Sequence, residues 1–252
     1  MLGDAEVSRI GLGTNRLTNT REHVAFVREA VAAGVMHVDT AHLYTRGESE
    51  DTIGTALSPQ ADGVVVATKG GFQAGEGQPD VLRAQIEQSL RRLRTDSIAL
   101  YYLHRVHPDT PLEQSLAAIK EYVDGGKIRH VGLSEVGIEQ IERAREVIPI
   151  TAVQNHYNLS ERRWEEVIDH CAREGIVFVP FFPLRGDGGG PLAEIAARHG
   201  ATPAQVTLAW LLRRSPAILP IPGTLSLDHL RENLAALEIE LSDADFDALQ
   251  GA

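Results

Sequence analysis

The chain has 252 residues, of which 43% are hydrophobic and 23% charged, and 24 basic against 35 acidic residues give a net charge of −11. This composition excludes an intrinsically disordered chain, and the negative charge disfavours nucleic acid and anionic membrane surfaces as partners. The single cysteine, Cys171, excludes an intramolecular disulfide and a multi-cysteine metal site. No run reaches the roughly 18 apolar residues of a membrane span, and the N-terminus does not resemble a signal peptide. We therefore expect a cytoplasmic protein.

Short β-rich runs alternate with longer amphipathic runs along the chain. Strands are predicted at Arg9–Gly13, Met36–Thr40, Gly63–Thr68, Ile98–His104, His130–Leu133, Ala152–Asn155, Ile176–Phe182 and Ala217–Ile221. Helices are predicted at Arg21–Ala33, Val81–Leu93, Leu112–Val123, Glu161–Glu174, Pro203–Arg214 and Leu227–Leu237, with further helices opening near Glu48 and Ser242. Several predicted strands are continuous apolar runs, which indicates a parallel sheet covered on both faces.

Eight strands with intervening helices over 252 residues predict a (β/α)8 barrel, the TIM barrel, which takes about 250 residues. A doubly wound open sheet is the alternative, but it requires a third glycine after Gly11-Leu12-Gly13, and Thr14-Asn15-Arg16 follows instead. No linker divides the chain, so we predict one domain over residues 1–252. The glycine-rich stretch 186–190 is predicted to be a loop at the barrel mouth.

Polar side chains lie at or directly after the carboxyl ends of several predicted strands, where barrel enzymes place their chemistry. These residues are Asp39, Lys69, His104, Ser134, Glu135, Gln154 and Asn155. Tyr44 follows Asp39 by five positions, and a nearby ammonium lowers the phenol pKa from its reference of about 10. Lys69, held by Asp39, would thus make Tyr44 a general acid, and a neutral His104 would orient a carbonyl oxygen. Such a set suits carbonyl reduction with hydride from a cofactor.

Five motifs resemble the aldo-keto reductases and occur in that family's order. They are Val38–Tyr44, Ala67–Gly71, Leu103–Arg105, Gly125–Ser134 and Ile221–Thr224, within a resemblance running from about Arg9 to Leu241. The resemblance implies a barrel that binds a nicotinamide dinucleotide. It also implies the catalytic tetrad Asp39, Tyr44, Lys69 and His104, acting in NAD(P)H-dependent reduction of an aldehyde or ketone.

The resemblance also assigns cofactor positions. Ser134 and Gln154 would hold the nicotinamide carboxamide, and Phe181 would stack on the ring. Further cofactor positions are Thr14, Asn15, Asp39, Glu135, Leu184, Gly186, Ile221 and Pro222, with Glu232 and Asn233 at the adenine. Glu135 stands where many members have Asn, which puts its carboxamide contact in question.

The positions for a 2′-phosphate depart from the family pattern. Gly223 replaces a common Lys, and His229 replaces a common Arg, although Thr224, Ser226 and the following helix start can still offer donors. We expect NADP(H) as cofactor on family grounds, with NAD(H) as the alternative.

Substrate residues are predicted by position after the strands. Asn15, Arg16, Phe72, Arg105 and Tyr157 are expected at the mouth, for a small-molecule carbonyl substrate. Because the chain stops at Ala252, soon after its last helix, we predict an open, shallow mouth. The histidines are too scattered to predict a metal site, and a monomer is the expected state.

Two other functions remain open. A barrel aldolase would use Lys69 as a Schiff-base amine, but an Asp39 partner would keep that amine protonated. A redox-sensing regulatory subunit would bind cofactor while controlling a partner, although the complete tetrad disfavours this.

Overall fold

Seven parallel strands form the centre of the molecule. The structure is a computed structural model that describes residues 1–59, 63–185 and 190–251. The strands follow one another around the sheet in chain order. Their bounds are β1 Leu12–Gly13, β2 His37–Asp39, β3 Val65–Gly70, β4 Ile98–Leu103, β5 Ile128–Ser134, β6 Ala152–Gln154 and β7 Val177–Phe178. Parallel neighbours joined in chain order by helical crossovers define the predicted (β/α)8 barrel, which is confirmed.

The segment 217–223 closes the barrel between β7 and β1. The amides of Gly11 and Gly13 donate to the carbonyl oxygens of Pro220 (2.9 Å) and Pro222 (3.2 Å), and the segment also bonds to β7 on its other side. Because proline has no N–H, this segment accepts hydrogen bonds from β1 but returns none. The eighth predicted strand therefore occupies its place in the barrel without a regular ladder.

Helices cover the outside of the sheet, and the predicted ones lie close to their expected ranges. The bounds are α1 Arg21–Ala32, α2 Glu48–Leu57, α3 Pro79–Leu93, α4 Leu112–Asp124, α5 Ile138–Arg145, α6 Glu165–Glu174, α7 Pro191–His199, α8 Pro203–Arg214, α9 Leu227–Ala235 and α10 Asp243–Gln250. Thr20 caps α1 by accepting from the His23 amide, and Ser242 caps α10 in the same way through Asp245. Gly175 ends α6 with φ 69°, a conformation that favours glycine.

Several predicted boundaries change for local reasons. The helix predicted from Glu161 begins at Glu165, because Asn158 holds the preceding residues in a turn by accepting from the amides of Ser160 and Glu161. The strand predicted at Ile176–Phe182 shortens to β7, since prolines follow it closely. Helices α5 and α7 were not predicted.

Alternation along the strands positions the site. One face of each strand lines the barrel interior, where Val65, Ala67, Leu100, Tyr102, Ala152 and Ile221 form an apolar cluster. The other face packs beneath the helices in a larger cluster. Because side chains alternate with a period of two, continuing the inward face to the carboxyl ends brings Lys69 after Ala67 and Gln154 after Ala152 into the barrel mouth.

Candidate active site

A cavity of about 590 Å³ lies at the carboxyl ends of the strands. It brings together most residues predicted for the site, namely Thr14, Asn15, Arg16, Asp39, Tyr44, Phe72, His104, Arg105, Ser134, Gln154, Phe181, Leu184, Ile221, Pro222 and Gly223. Five lining residues were not predicted: Gly13, Leu43, Phe182, Pro183 and Arg185. Each lies within a few positions of a predicted residue, so extending the search along each loop after a strand would have found them.

Lys69 is fully buried behind Asp39 and Tyr44, which line the cavity. Its Nζ donates to Asp39 Oδ1 and to the Thr40 carbonyl oxygen, each at 2.6 Å. The second carboxylate oxygen of Asp39 accepts from Gln154 Nε2 at 2.8 Å. Burial by itself lowers the pKa of Lys69, but Asp39 and Tyr44 outweigh it and raise the pKa above its usual value. Lys69 is therefore a protonated amine held in one position.

Tyr44 lies next to this ammonium, with Lys69 Nζ 5.0 Å from the centroid of its ring. Burial raises the pKa of Tyr44, and the positive charge of Lys69 opposes that rise without cancelling it. Lys69 favours the phenolate form of Tyr44 as predicted, but the predicted net lowering of the Tyr44 pKa is wrong. Removing the phenolate from water destabilises it by more than the ammonium stabilises it. The phenol consequently keeps its proton across the neutral range.

His104 faces the same space, with its ring centroid 6.2 Å from that of Tyr44. Burial, together with Lys69 and Arg105, lowers the pKa of His104 well below its usual value, so the imidazole is neutral as predicted. Its buried Nδ1 has no hydrogen-bond partner among the residues the structure describes. An N–H buried without an acceptor is rare, so we expect the ring proton on Nε2.

Arg105 lies beside the two aromatic walls of the cavity. The carbon at the centre of its guanidinium group is 5.3 Å from the centroid of Phe72 and 5.9 Å from that of Phe181. Its Nη1 donates to the Ser134 hydroxyl at 3.0 Å. His156 stacks on Phe181 at 5.3 Å with an interplanar angle of 14°.

Tyr157 does not lie at the mouth, contrary to its prediction. Its side chain is fully buried, stacks on Trp210 at 5.7 Å, and donates its hydroxyl to Glu165 at 2.7 Å. The strand alternation explains the correction, since Tyr157 falls on the face that packs against the helices.

Glu135 follows Ser134 but does not line the cavity. Its backbone has φ 57°, a left-handed conformation that Asn adopts more readily than Glu. One carboxylate oxygen accepts from the His156 amide at 2.6 Å, and the other pairs with Arg163 at 2.8 Å. Both carboxylate oxygens are thus already paired with groups outside the cavity lining.

Three more predicted cofactor residues, Thr224, Ser226 and His229, lie beyond the cavity wall around the start of α9. Ser226 caps this helix and leaves the first backbone N–H groups, of Leu227 and Asp228, without a partner in the described parts of the chain. Thr224 accepts from the Ser226 amide at 3.0 Å, and His229 is exposed.

Glu232 and Asn233, the positions predicted to contact the adenine, lie further along α9. Glu232 accepts from the Thr202 hydroxyl at 2.6 Å, and Asn233 is buried. Gly186 lies outside the described residues.

These residues fit an extended dinucleotide. Ser134 accepts from Arg105 and keeps its own hydroxyl proton free for an amide oxygen. His156 covers one face of Phe181, and Phe181 lines the cavity, which suits a stacked nicotinamide. The unpaired N–H groups at the start of α9 suit a phosphate. Across the closing seam, Arg16 donates to the Gly223 carbonyl oxygen at 3.0 Å and supplies a cation near that end.

The described parts of the chain contain neither a metal-ligand cluster nor a membrane-spanning helix. No group of three or more His, Cys, Asp or Glu there is placed to hold a metal ion. No helix there has the length and apolar character that crossing a membrane requires.

The chain belongs to the aldo/keto reductase family. The model of the Aldo/keto reductase family matches residues 9–190 and 187–252. Pyridoxine 4-dehydrogenase of Escherichia coli K12 is 38% identical, covering 99% of this chain and 96% of its own. An uncharacterised oxidoreductase of Schizosaccharomyces pombe is 36% identical, covering 97% and 86%.

Solved structures agree with this membership. A thermostable aldo-keto reductase crystallised with the inhibitor epalrestat superimposes with a TM-score of 0.91 and 33% identity, covering 100% of this chain and 98% of its own. An aldo/keto reductase from Klebsiella pneumoniae, in complex with NADP and acetate, gives a TM-score of 0.87 and 30% identity, covering 97% and 91%.

Proposed function

We propose that this protein reduces an aldehyde or ketone to an alcohol, with NADPH as the hydride donor and Tyr44 as the general acid. The observation that carries the proposal is the buried Lys69, bonded to Asp39 at 2.6 Å and lying 5.0 Å from the Tyr44 ring. Asp39 and Tyr44 both line the cavity. Membership of the aldo/keto reductase family supports the same chemistry.

In this mechanism the chain's own residues position the carbonyl oxygen of the substrate and supply the proton that it receives. A bound reduced nicotinamide would supply hydride to the carbonyl carbon. His104 Nε2 and the Tyr44 hydroxyl would donate hydrogen bonds to the carbonyl oxygen, which fixes its position and polarises it. As negative charge develops there, Tyr44 gives up its proton, and the ammonium of Lys69 stabilises the phenolate that remains. Asp39 keeps Lys69 charged and in place.

Replacing Tyr44 with Phe tests the proposal, because it removes the proton donor and retains the ring. We expect Tyr44→Phe to lose turnover by about 100-fold or more, the range for losing a general acid. Binding of NADPH should stay within a few-fold of wild type, measured by quenching of protein fluorescence. Turnover is followed as NADPH oxidation against a panel of aldehydes, dicarbonyls and keto sugars.

The possible results distinguish the role of Tyr44 as general acid from carbonyl reduction itself. Wild-type activity that survives in Tyr44→Phe would remove Tyr44 from its role and leave the reaction standing. Absence of NADPH oxidation by the wild type with every carbonyl, despite tight NADPH binding, would favour the regulatory subunit instead.

The preference for NADPH over NADH is a second proposal. Solved relatives from Klebsiella pneumoniae hold NADP or NADPH, and the start of α9 with Arg16 nearby offers donors for phosphate. We expect kcat/KM to be higher with NADPH, although Gly223 and His229 replace the usual cations. A tenfold or greater preference for NADH would overturn this choice.

Pyridoxal is the first substrate to test. The similar Escherichia coli protein is named a pyridoxine 4-dehydrogenase, and pyridoxal is the aldehyde that reduction to pyridoxine consumes. The cavity wall formed by Phe72 suits a flat aromatic ring. Formation of pyridoxine from pyridoxal and NADPH, detected by chromatography, would support this assignment.

The aldolase remains the less favoured alternative. A raised pKa keeps Lys69 protonated and therefore a poor nucleophile. Trapping of a substrate adduct on Lys69 with borohydride would reverse that ranking. The single domain over residues 1–252, the monomeric state, the cytoplasmic location and the open mouth stay predictions.

A further inference from the structure

Arg105 has hydrogen-bonding capacity that the fold does not use. Its Nη1 donates to the His104 carbonyl oxygen at 2.6 Å and to the Ser134 hydroxyl at 3.0 Å. Its Nε and Nη2 have no partner within the part of the chain that the structure describes. Partial burial lowers the pKa of Arg105, yet a guanidinium remains charged. Arg105 thus offers the cavity a fixed positive charge with unpaired N–H groups.

The wall next to Arg105 is held rigidly. Phe72 lies 5.3 Å from the guanidinium, and its backbone amide donates to Glu76 at 3.0 Å. Its carbonyl oxygen accepts from His107, two residues after Arg105, at 2.8 Å. The loops that carry Phe72 and Arg105 are therefore fixed to each other, so a flat apolar surface and a cation keep a constant spacing.

The charge lining the cavity is opposite in sign to that of the whole protein. The chain carries −11 overall, but the described cavity lining has three arginines and a single acidic residue, Asp39. Both oxygens of Asp39 are already bonded, to Lys69 and Gln154. An anionic group that enters this space therefore meets cations and no free carboxylate.

Of the three arginines, Arg105 lies nearest the reacting centre. Its positive charge favours the phenolate form of Tyr44 and the neutral form of His104, so it acts on the pKa of both side chains. Arg16 is turned to the Gly223 carbonyl oxygen at the seam, and Arg185 stacks on Phe182 with 4.0 Å to the ring centroid.

We propose that Arg105 selects carbonyl substrates that carry an anionic oxygen, a carboxylate or an ionised ring hydroxyl, on a flat apolar body. The unpaired Nε and Nη2 would bind that oxygen as a charge-assisted fork, while the ring packs on Phe72. This rests on the proposed carbonyl reduction and adds its substrate class.

The test compares matched pairs of aldehydes. Initial rates with NADPH are measured for 3- and 4-carboxybenzaldehyde against their methyl esters, and for hydroxybenzaldehydes against methoxybenzaldehydes at a pH where the phenol is ionised. We expect wild-type kcat/KM to favour the anionic member of at least one pair by about 10- to 100-fold, the range for a hydrogen bond to a charged group. Which pair shows the preference identifies the anionic group.

Arg105→Met should bring that ratio to within about threefold of unity, because a loss that acts through Ser134 applies equally to both members of a pair. Arg105→Lys should retain part of the preference, since it keeps the charge and loses the fork. Arg185→Met is the matched control, and it should keep the wild-type ratio. Benzoate binding, measured by calorimetry, supplies a readout without turnover and should weaken in Arg105→Met.

Failure of the role proposed for Arg105 can be distinguished from failure of the proposed carbonyl reduction. An equal or higher rate with the neutral member of every pair, or a preference that Arg105→Met retains or Arg185→Met abolishes, would overturn the role of Arg105 while carbonyl reduction stands. Lack of turnover with every aldehyde would instead remove the proposed function. In that case, benzoate binding that is equal in wild type and Arg105→Met would remove this inference as well.

Discussion

At the scale of single residues, Lys69 and Asp39 form a buried ion pair on which both the proposed chemistry and folding are expected to depend. Neither side chain has appreciable contact with solvent, at 0% and 2% exposure, so each charge depends on the other for stabilisation. Water cannot replace a lost partner at such a site, and an isolated charge there is costly. The pair is therefore expected to behave as one unit on mutation.

A double-mutant cycle tests this coupling. Lys69→Met should abolish most turnover and lower the free energy of unfolding by about 3–5 kcal/mol, because Asp39 is left buried and charged. Adding Asp39→Asn should recover part of that stability, since the uncompensated charge is gone, while turnover stays absent. Urea denaturation of both single variants and the double variant measures the coupling. Additive losses would contradict a coupled pair.

At the scale of elements, α2 and α3 approach so closely that a glycine is required. A Cβ on Gly54, in the middle of α2, would lie 2.1 Å from the backbone carbonyl oxygen of Arg92 near the end of α3. Helix propensity favours alanine over glycine by about 1 kcal/mol, but a backbone atom cannot move aside as a side chain can. Packing therefore decides the residue, and it opposes propensity.

We expect Gly54→Ala to destabilise the fold, reversing the sign that propensity predicts, with a loss of about 1–3 kcal/mol as for an overpacked core. Gly137→Ala is the matched control, because its Cβ would meet nothing within 4 Å, and its effect should be much smaller. Thermal unfolding of both variants compares them. A stabilised Gly54→Ala would show that the helices can separate at little cost.

At the scale of the whole molecule, buried neutral histidines tie stability to pH. Burial lowers the pKa of His37, and burial with Lys69 and Arg105 lowers that of His104 well below the usual value. The unfolded chain takes up these protons near pH 6.5, and the folded chain does so only at lower pH. The free energy of unfolding should therefore fall as pH drops below about 6.5.

The slope in that window should approach about 1.4 kcal/mol per pH unit for each histidine. Urea denaturation at several values between about pH 5 and 8 measures it. His37→Gln should give a shallower slope, whereas the exposed His229→Gln should match wild type. A slope that His37→Gln leaves unchanged would assign the effect to other groups.

Much of this organisation follows from local sequence. Apolar runs of strand length, helix caps such as Thr20 and Ser242, and the position of Lys69 at the carboxyl end of an apolar run all act over a few residues. Strand alternation then directs Asp39, Lys69 and His104 inward, because the period of two is a property of the backbone itself. The barrel and the convergence of these three side chains at its carboxyl end were predictable for that reason.

Only the tertiary structure decided properties that depend on residues distant in sequence. The net rise in the pKa of Tyr44 required the balance between burial and Lys69. The burial of Tyr157 against Trp210 and the turning of Glu135 to Arg163 each depend on a partner from another segment. The positive lining around Arg105 within a chain of charge −11 likewise exists only after folding. Local pattern specifies which side chains reach the mouth, whereas solvation and long-range contacts set their charge and the groups they bind.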